Sequence, residues 1–214
     1  MVLLWSMKLR KLNIAKLPKP KNTHEFLSSK KYSLEIGAGV GLHAIRFAQE
    51  NPDFTHIAIE RTTNKALKMK GRSESHKLSN LIVHQDDAIN WVAHNCPDSS
   101  LDKVFLLYPN PNPKNKAARW IHMPFFATLV AKMKPGASLV LATNMDFYQS
   151  EFLENYQAFE IELKSKKTIN KNNLSEDYRP LTHFEKKYLA RSENCYHLEF
   201  ICLLYTSPSP RDIS

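Results

Sequence analysis

Ser33-Leu34-Glu35-Ile36-Gly37-Ala38-Gly39-Val40-Gly41-Leu42 is the stretch that decides the fold. A short apolar run carries one acid, ends in three alternating glycines, and is followed by a helix-like segment. A backbone turns this way where it passes under a nucleotide-like ligand at the carboxyl end of a parallel strand. Gly37 and Gly39 leave room for that ligand, and Gly41 is expected to open the helix beside it. All three are therefore candidate cofactor-binding residues.

Outward from this loop the apolar pattern keeps a βαβ rhythm. Strands are expected over 33–37, 55–60, 81–84, 101–108 and 137–143, and helices over 42–50, 62–76, 88–94 and 120–133. Between them lie turns at Asn51-Pro52-Asp53 and Asp98-Ser99-Ser100 and a proline-rich loop over 109–116. This rhythm predicts an α/β fold with a doubly wound, mostly parallel sheet. Past 156 the pattern changes. A strand is expected near 159–163, an exposed polar loop over 164–178, and a late strand over 196–204. A late pair with no helix of suitable length between them predicts antiparallel strands at one sheet edge.

The spacing G-x-G-x-G differs from the dinucleotide fingerprint G-x-G-x-x-G, because Leu42 stands in the place of its third glycine. Glu35, two residues before the first glycine, would repel a pyrophosphate and suits a cationic cofactor. S-adenosylmethionine carries an ammonium and a sulfonium and no phosphate, and it is the cofactor expected here. Glu60, at the end of the second strand, suits the ribose hydroxyls. Asp87, after the third strand, suits the adenine amino group, with its neighbour Asp86 as the alternative.

The 214 residues are 43% hydrophobic and carry 30 Lys and Arg against 21 Asp and Glu, a formal charge of +9 and a pI near 9.4. That balance suits a polyanionic partner. Residues 1–31 form an expected basic arm, 32–204 the folded domain, and 205–214 a disordered tail foreign to the rest. Arg119, Lys114 and Lys116 form a basic cluster suited to phosphates, with Trp120 expected to pack on Phe125 and Phe126. Cys96, Cys195 and Cys202 make no C-x-x-C pair and are expected to be free thiols of a reducing, cytoplasmic compartment. The nine histidines show no ligand spacing, so no metal is expected. No apolar run is long enough for a membrane span. A monomer or weak homodimer is expected.

Over about residues 31–203 the chain resembles the bacterial tRNA (guanine-N7)-methyltransferase family. The motifs are LEIGAGVG, AIERT around Glu60, QDDA around Asp87, FLLYPNPNPK, MPFF followed by KMKPGASLVLATN, and PLTHFEKKYLARSENCYHLEF. The first three belong to class I methyltransferases in general, and the last three are particular to this family. The resemblance implies a Rossmann-like, seven-stranded, mostly parallel sheet with an antiparallel edge strand. It also implies methyl transfer from S-adenosylmethionine to N7 of a guanine in the tRNA variable loop. Glu35, Glu60 and Asp87 fall on the family's cofactor-contacting acids, and Lys114 on its substrate-contacting lysine. Thr182, Phe184 and Glu185 match its T-x-F-E element near base and cofactor, with His183 where lysine is usual.

Two departures concern the chemistry. Pro109-Asn110-Pro111-Asn112 replaces Pro-Asp-Pro-Trp, and Asn144 replaces the aspartate of Ala-Thr-Asp after the fifth strand. Guanine N7 has a lone pair and no proton, so its methylation needs positioning more than a general base. Asn110 is expected to orient the base beside the cofactor and Glu185 to supply negative field, while Asn144 lies on the substrate side. Two other readings fit the asparagines. One is methyl transfer to an exocyclic base amine or another RNA position, and the other is an RNA-binding homologue with impaired catalysis.

Overall fold

A computed structural model describes residues 11–203; the first ten residues and the tail expected at 205–214 lie outside them. The strands are β1 (Lys31–Ile36), β2 (Phe54–Glu60), β3 (Leu81–Gln85), β4 (Leu101–Leu107), β5 (Met133–Thr143), β6 (Ile161–Ile169) and β7 (Cys195–Cys202). The helices are α1 (Leu42–Glu50), α2 (Thr63–Ser75), α3 (Ala88–Asn95), α4 (Pro124–Ala131), α5 (Asp146–Asn155) and α6 (His183–Ala190). One seven-stranded sheet runs in the order β3-β2-β1-β4-β5-β7-β6. β1 to β5 pair in parallel, and β7 is antiparallel to both of its neighbours. The chain moves outward from β1 to β3, then returns to β4 on the other side of β1. That reversal opens a crevice at the carboxyl ends of β1 and β4, where open α/β sheets bind ligands.

Alternation along the strands divides the core. Leu34, Ile36, Ile57, Ile59, Val104, Leu106, Leu139 and Leu141 face one side, under Trp91 of α3, Phe125 and Phe126 of α4 and Phe152 of α5. Ala58, Phe105 and Leu107 face the other side, against α1, with Met69 of α2 joining them. Glu35 lies between Leu34 and Ile36 and therefore points to the α1 side.

Four expectations need correction. The helix expected over 120–133 is a short 3-10 turn at Trp120–His122 followed by α4, because Pro124 has no N–H for a helix running through it and instead takes the first helical position. β5 begins at Met133, which pairs with Leu101 before a register shift carries the strand past Pro135 and Gly136. Lys164 to Ile169 belong to β6, not to a loop; it is an edge strand whose lysines face solvent, a composition that discourages further pairing. A helix, α6, does stand between β6 and β7.

The arm expected as a separate segment is, from residue 11 on, part of the folded unit. Leu12 and Phe26 pack on the main core, and the His94 ring and Asn95 amide bond the carbonyls of Leu17 and Asn22. The Lys21 N–H donates to Asp86 Oδ2 at 2.8 Å. The three cysteines are buried and form no disulfide with one another, and burial pushes the Cys96 thiol up to about 12. No helix among the described residues is long and apolar enough to cross a membrane.

Candidate active site

The glycine loop leaves β1 with the N–H groups of Gly37 and Ala38 bonded to the Ile59 carbonyl at 2.8 and 3.1 Å. Gly37 and Gly39 have positive φ, and a Cβ on either would meet nothing within 4 Å. The loop is thus a cradle with open space above it. Gly41 differs: its φ is +83°, and a Cβ there would lie 2.5 Å from Met69 Cγ. It opens α1 as expected, but its contact is with α2 and it lines neither cleft described below. Its lack of a side chain is required by the packing of α1 on α2.

Two clefts meet over the cradle. The larger, about 470 Å³, is lined by Gly37, Glu60, Asp86, Asp87, Asn110, Asn112 and Trp120, among others. The smaller, about 160 Å³, is lined by Glu35, Gly37, Gly39, His43, Thr182, His183 and Phe184, among others. Gly37, Lys65 and Leu107 border both.

Strand-end acids organise the larger cleft. Glu60 accepts from the Gly39 N–H at 2.9 Å and from the Thr62 N–H at 2.8 Å, which ties the cradle to the start of α2. Asp87 caps α3 through Oδ1, accepting from Ile89 and Asn90, and still borders the cleft. Asp86 is 7% exposed, with one oxygen on the Lys21 N–H and the other on the Asp87 N–H. Asp87 is therefore the less committed of the two.

The proline-rich loop is built on an Asx turn. Asn110 Oδ1 accepts from the Asn112 N–H at 3.2 Å, and Asn112, at φ +44°, bonds the carbonyls of Asn110 and Ala118 through its amide. A left-handed residue is tolerated best by glycine or asparagine, which suits Asn112 to this place. Arg119 is not the phosphate contact expected. It is 7% exposed and grips Asn112 O, Pro113 O and the Glu151 carboxylate, with its guanidinium over the Phe147 ring. Lys114 and Lys116 remain exposed. Trp120 packs on Phe125 as expected and also borders the cleft.

The T-x-F-E element starts α6 as a capping motif: Thr182 Oγ1 accepts from the Glu185 N–H at 3.1 Å. Thr182 and Phe184 face the smaller cleft, and Phe184 is 48% exposed. Glu185 does not face it. Its side chain is fully buried, with Oε1 on Tyr178 and on His197 (3.1 Å) and Oε2 on the Leu181 N–H (2.7 Å). Burial would raise its carboxyl, but His197 and the other donors hold it below the usual range. Both oxygens of the expected catalytic acid thus have protein partners in this structure. Asn144 also lines neither cleft; its amide donates to Glu193 at 2.7 Å.

Sequence reasoning missed two features. Lys65, in the first turn of α2, borders both clefts and belongs to no motif. His43 and His56 converge on Glu35, giving a buried group with metal-ligand composition where none was expected. They stand 8 and 21 residues from Glu35, and no spacing rule marks them.

A family model described as "Putative methyltransferase" matches residues 29–198. A tRNA (guanine-N(7)-)-methyltransferase of Polaromonas is 31% identical over 171 residues, spanning 78% of this chain and 69% of the relative.

This chain belongs to the tRNA (guanine-N7)-methyltransferase family.

Within that family, a Neisseria gonorrhoeae protein of the same name is 32% identical, over 82% of this chain and 73% of its own length. One from Hyphomonas neptunium is 38% identical, over 60% of this chain and 59% of the relative. The chain thus spans between about three fifths and three quarters of the length of these relatives. Solved structures share its fold. The 16S rRNA methyltransferase KamB superposes with a TM-score of 0.61 at 16% identity, over 86% of this chain and 97% of KamB. A 16S rRNA (adenine(1408)-N(1))-methyltransferase from Catenulisporales acidiphilia gives 0.58 at 15% identity, over 85% and 90%.

Proposed function

We propose that this chain transfers a methyl group from S-adenosylmethionine to N7 of a guanine in tRNA, within the variable loop. The observation that carries the reading is the paired cleft over one glycine cradle. It has strand-end acids at one end, Thr182 and Phe184 at the other, and the Asn110 loop along its side. The open space above Gly37 and Gly39 fits an adenosyl group. Glu60 keeps further lone pairs for ribose hydroxyls, and Asp87 Oδ2 for the adenine amino group. Glu35 lines the smaller cleft, where it meets the ammonium of the methionine end. The sulfonium supplies the electrophilic methyl group.

The residues of the chain then have to orient the base. Asn110 spends its carbonyl inside the loop, so it offers the cleft an amide donor. The major-groove edge of guanine presents two acceptors, O6 and N7. A donor on O6 holds that edge while leaving the N7 lone pair to the methyl group. Transfer to an exocyclic amine would instead need the side-chain carbonyl as acceptor, and that oxygen would have to serve the amine and the Asn112 N–H together. Exposed Lys114, two residues past Asn112, takes a phosphate, and Phe184 offers a face for stacking. Glu185 acts through the placement of Thr182 and Leu181, as a positioning residue.

The test is to incubate the protein with labelled S-adenosylmethionine and bulk tRNA and identify the labelled nucleoside after digestion. N7-methylguanosine is expected. Label in an N6- or N2-methylated base would transfer the reaction to an amine, and cofactor binding without label would leave an RNA-binding homologue. Asn110→Asp keeps an oxygen for the Asx turn and adds negative charge beside the cationic product. It is expected to raise the rate about tenfold.

A further inference from the structure

Glu35 is a buried acid, 2% exposed, on the α1 face of the central strand. Its Oε2 accepts from His43 Nδ1 of α1 at 2.7 Å and from His56 Nε2 of β2 at 3.3 Å. His56 Nδ1 lies 2.8 Å from Ser33 Oγ. Burial lowers the His56 pKa and so favours a neutral ring. The Ser33 hydroxyl then donates to Nδ1, which leaves the ring proton on Nε2, facing Glu35. Phe105 packs on His43 with ring centroids 4.6 Å apart, and Phe47 packs on His56 at 4.8 Å. The far side of the arrangement opens on the smaller cleft, which Glu35 and His43 both line.

Two histidines and a carboxylate also have the composition of a zinc site. The shorter contact, between His43 and Glu35, favours a proton. Ligand atoms on a tetrahedral ion at bonds of about 2.0–2.1 Å lie about 3.3 Å apart. A separation of 2.7 Å is instead that of a charge-assisted hydrogen bond.

We propose that His43 and His56 are positioning residues, which hold the Glu35 carboxylate by one oxygen in a single orientation so that its other oxygen grips the ammonium of the cofactor's methionine end. The inference rests on the cofactor reading above. Alone in this apolar pocket the carboxyl would be pushed up by burial. The His43 charge and the two histidine hydrogen bonds outweigh burial and hold it at about 2. The other ionisable groups around the smaller cleft are Lys65 of α2 and His183 of α6, both exposed to solvent. Glu35 is thus a fixed anion in a place where an unsupported carboxylate would take up a proton near neutrality.

The experiment compares two ligands by titration calorimetry. S-adenosylmethionine carries the ammonium, and 5′-methylthioadenosine has the same nucleoside without it. His43→Phe fills the ring's place without a donor, and His43→Asn restores an amide N–H near Nδ1. His43→Phe is expected to bind S-adenosylmethionine about tenfold more weakly at pH 7.5 and about tenfold more weakly again at pH 5.5. Its affinity for methylthioadenosine should stay within twofold of wild type. His43→Asn should recover most of the loss, and wild type should change less than threefold over that pH range. Equal losses for both ligands, or a flat pH profile in His43→Phe, would overturn the inference while leaving the cofactor site standing. Wild type binding neither ligand would remove the cofactor reading and this inference with it. Stoichiometric zinc in the purified protein would overturn the inference alone. Should His43→Phe not fold, His43→Leu carries the same comparison.

Discussion

The Arg119 side chain reaches back to the Asn112 carbonyl, its Nε 3.2 Å away, and so closes the proline-rich loop on itself. The same guanidinium bonds Pro113 O at 2.9 Å and pairs with Glu151, which also accepts from His122 at 3.2 Å. One buried cation therefore fixes the backbone that carries Asn110 and Lys114. Arg119→Met keeps the apolar stem and removes every donor. The expected result is about 2 kcal/mol lost in urea denaturation and a fall of about thirtyfold in kcat/KM for tRNA. Cofactor affinity by calorimetry should stay within twofold.

Gly41 and Met69 meet where α1 crosses α2. Alanine at 41 must take a positive φ and force its Cβ into the Met69 side chain. Gly41→Ala should cost about 3 kcal/mol by chemical denaturation. In a double-mutant cycle with Met69→Ala the two losses should add to more than the double variant loses, because the clash disappears with the methionine.

Lys114 is exposed and carries no structural bond on which the loop depends. Lys114→Ala should leave thermal stability unchanged and weaken tRNA binding at every sequence tested. The slope of log affinity against log salt should shrink by about one, read by filter binding at several salt concentrations.

The depressed carboxyl of Glu35 makes part of the fold's stability pH-dependent. Its usual value is 4.5 and its folded value about 2. The protonated form is favoured in the unfolded chain, so the contribution is complete above about pH 4.5 and is lost as pH falls toward 2. Thermal melts across that interval should show a steep decline for wild type and a shallower one for Glu35→Gln.

Much of this was legible in the sequence because the central strands are buried on both faces and stand next to distinctive glycines and acids. α1, β2, β3 and α3 lie within a residue or two of where their patterns place them. The start of β6 falls within the strand expected near 159–163, but its second half was hidden because Lys164, Lys166 and Lys167 face solvent on an edge strand and carry no apolar signal. α6 was hidden for another reason: the T-x-x-E capping signal at Thr182 and Glu185 coincides with residues that also read as a binding element. Glu185 shows the limit of motif reasoning. Its place in the chain marks it as close to the base, but only packing reveals that His197, Tyr178 and the Leu181 N–H occupy both of its oxygens. The convergence of His43 and His56 on Glu35 depends on a helix lying across two strands, which no linear spacing encodes.

The position of β7 bears on the order in which the protein is made. Among the described residues the one strand that pairs with β6 is β7, which slots between it and β5. During synthesis β6 and α6 are made before β7, the strand that joins β6 to the sheet. Thr182 and Phe184, at the start of α6, lie in the chain between β6 and β7, so the strand that ties their flanks to the sheet follows them. The cradle is built from β1, α1 and β2, and the wall that faces it comes from a part of the chain made more than a hundred residues later, about the length of a small domain.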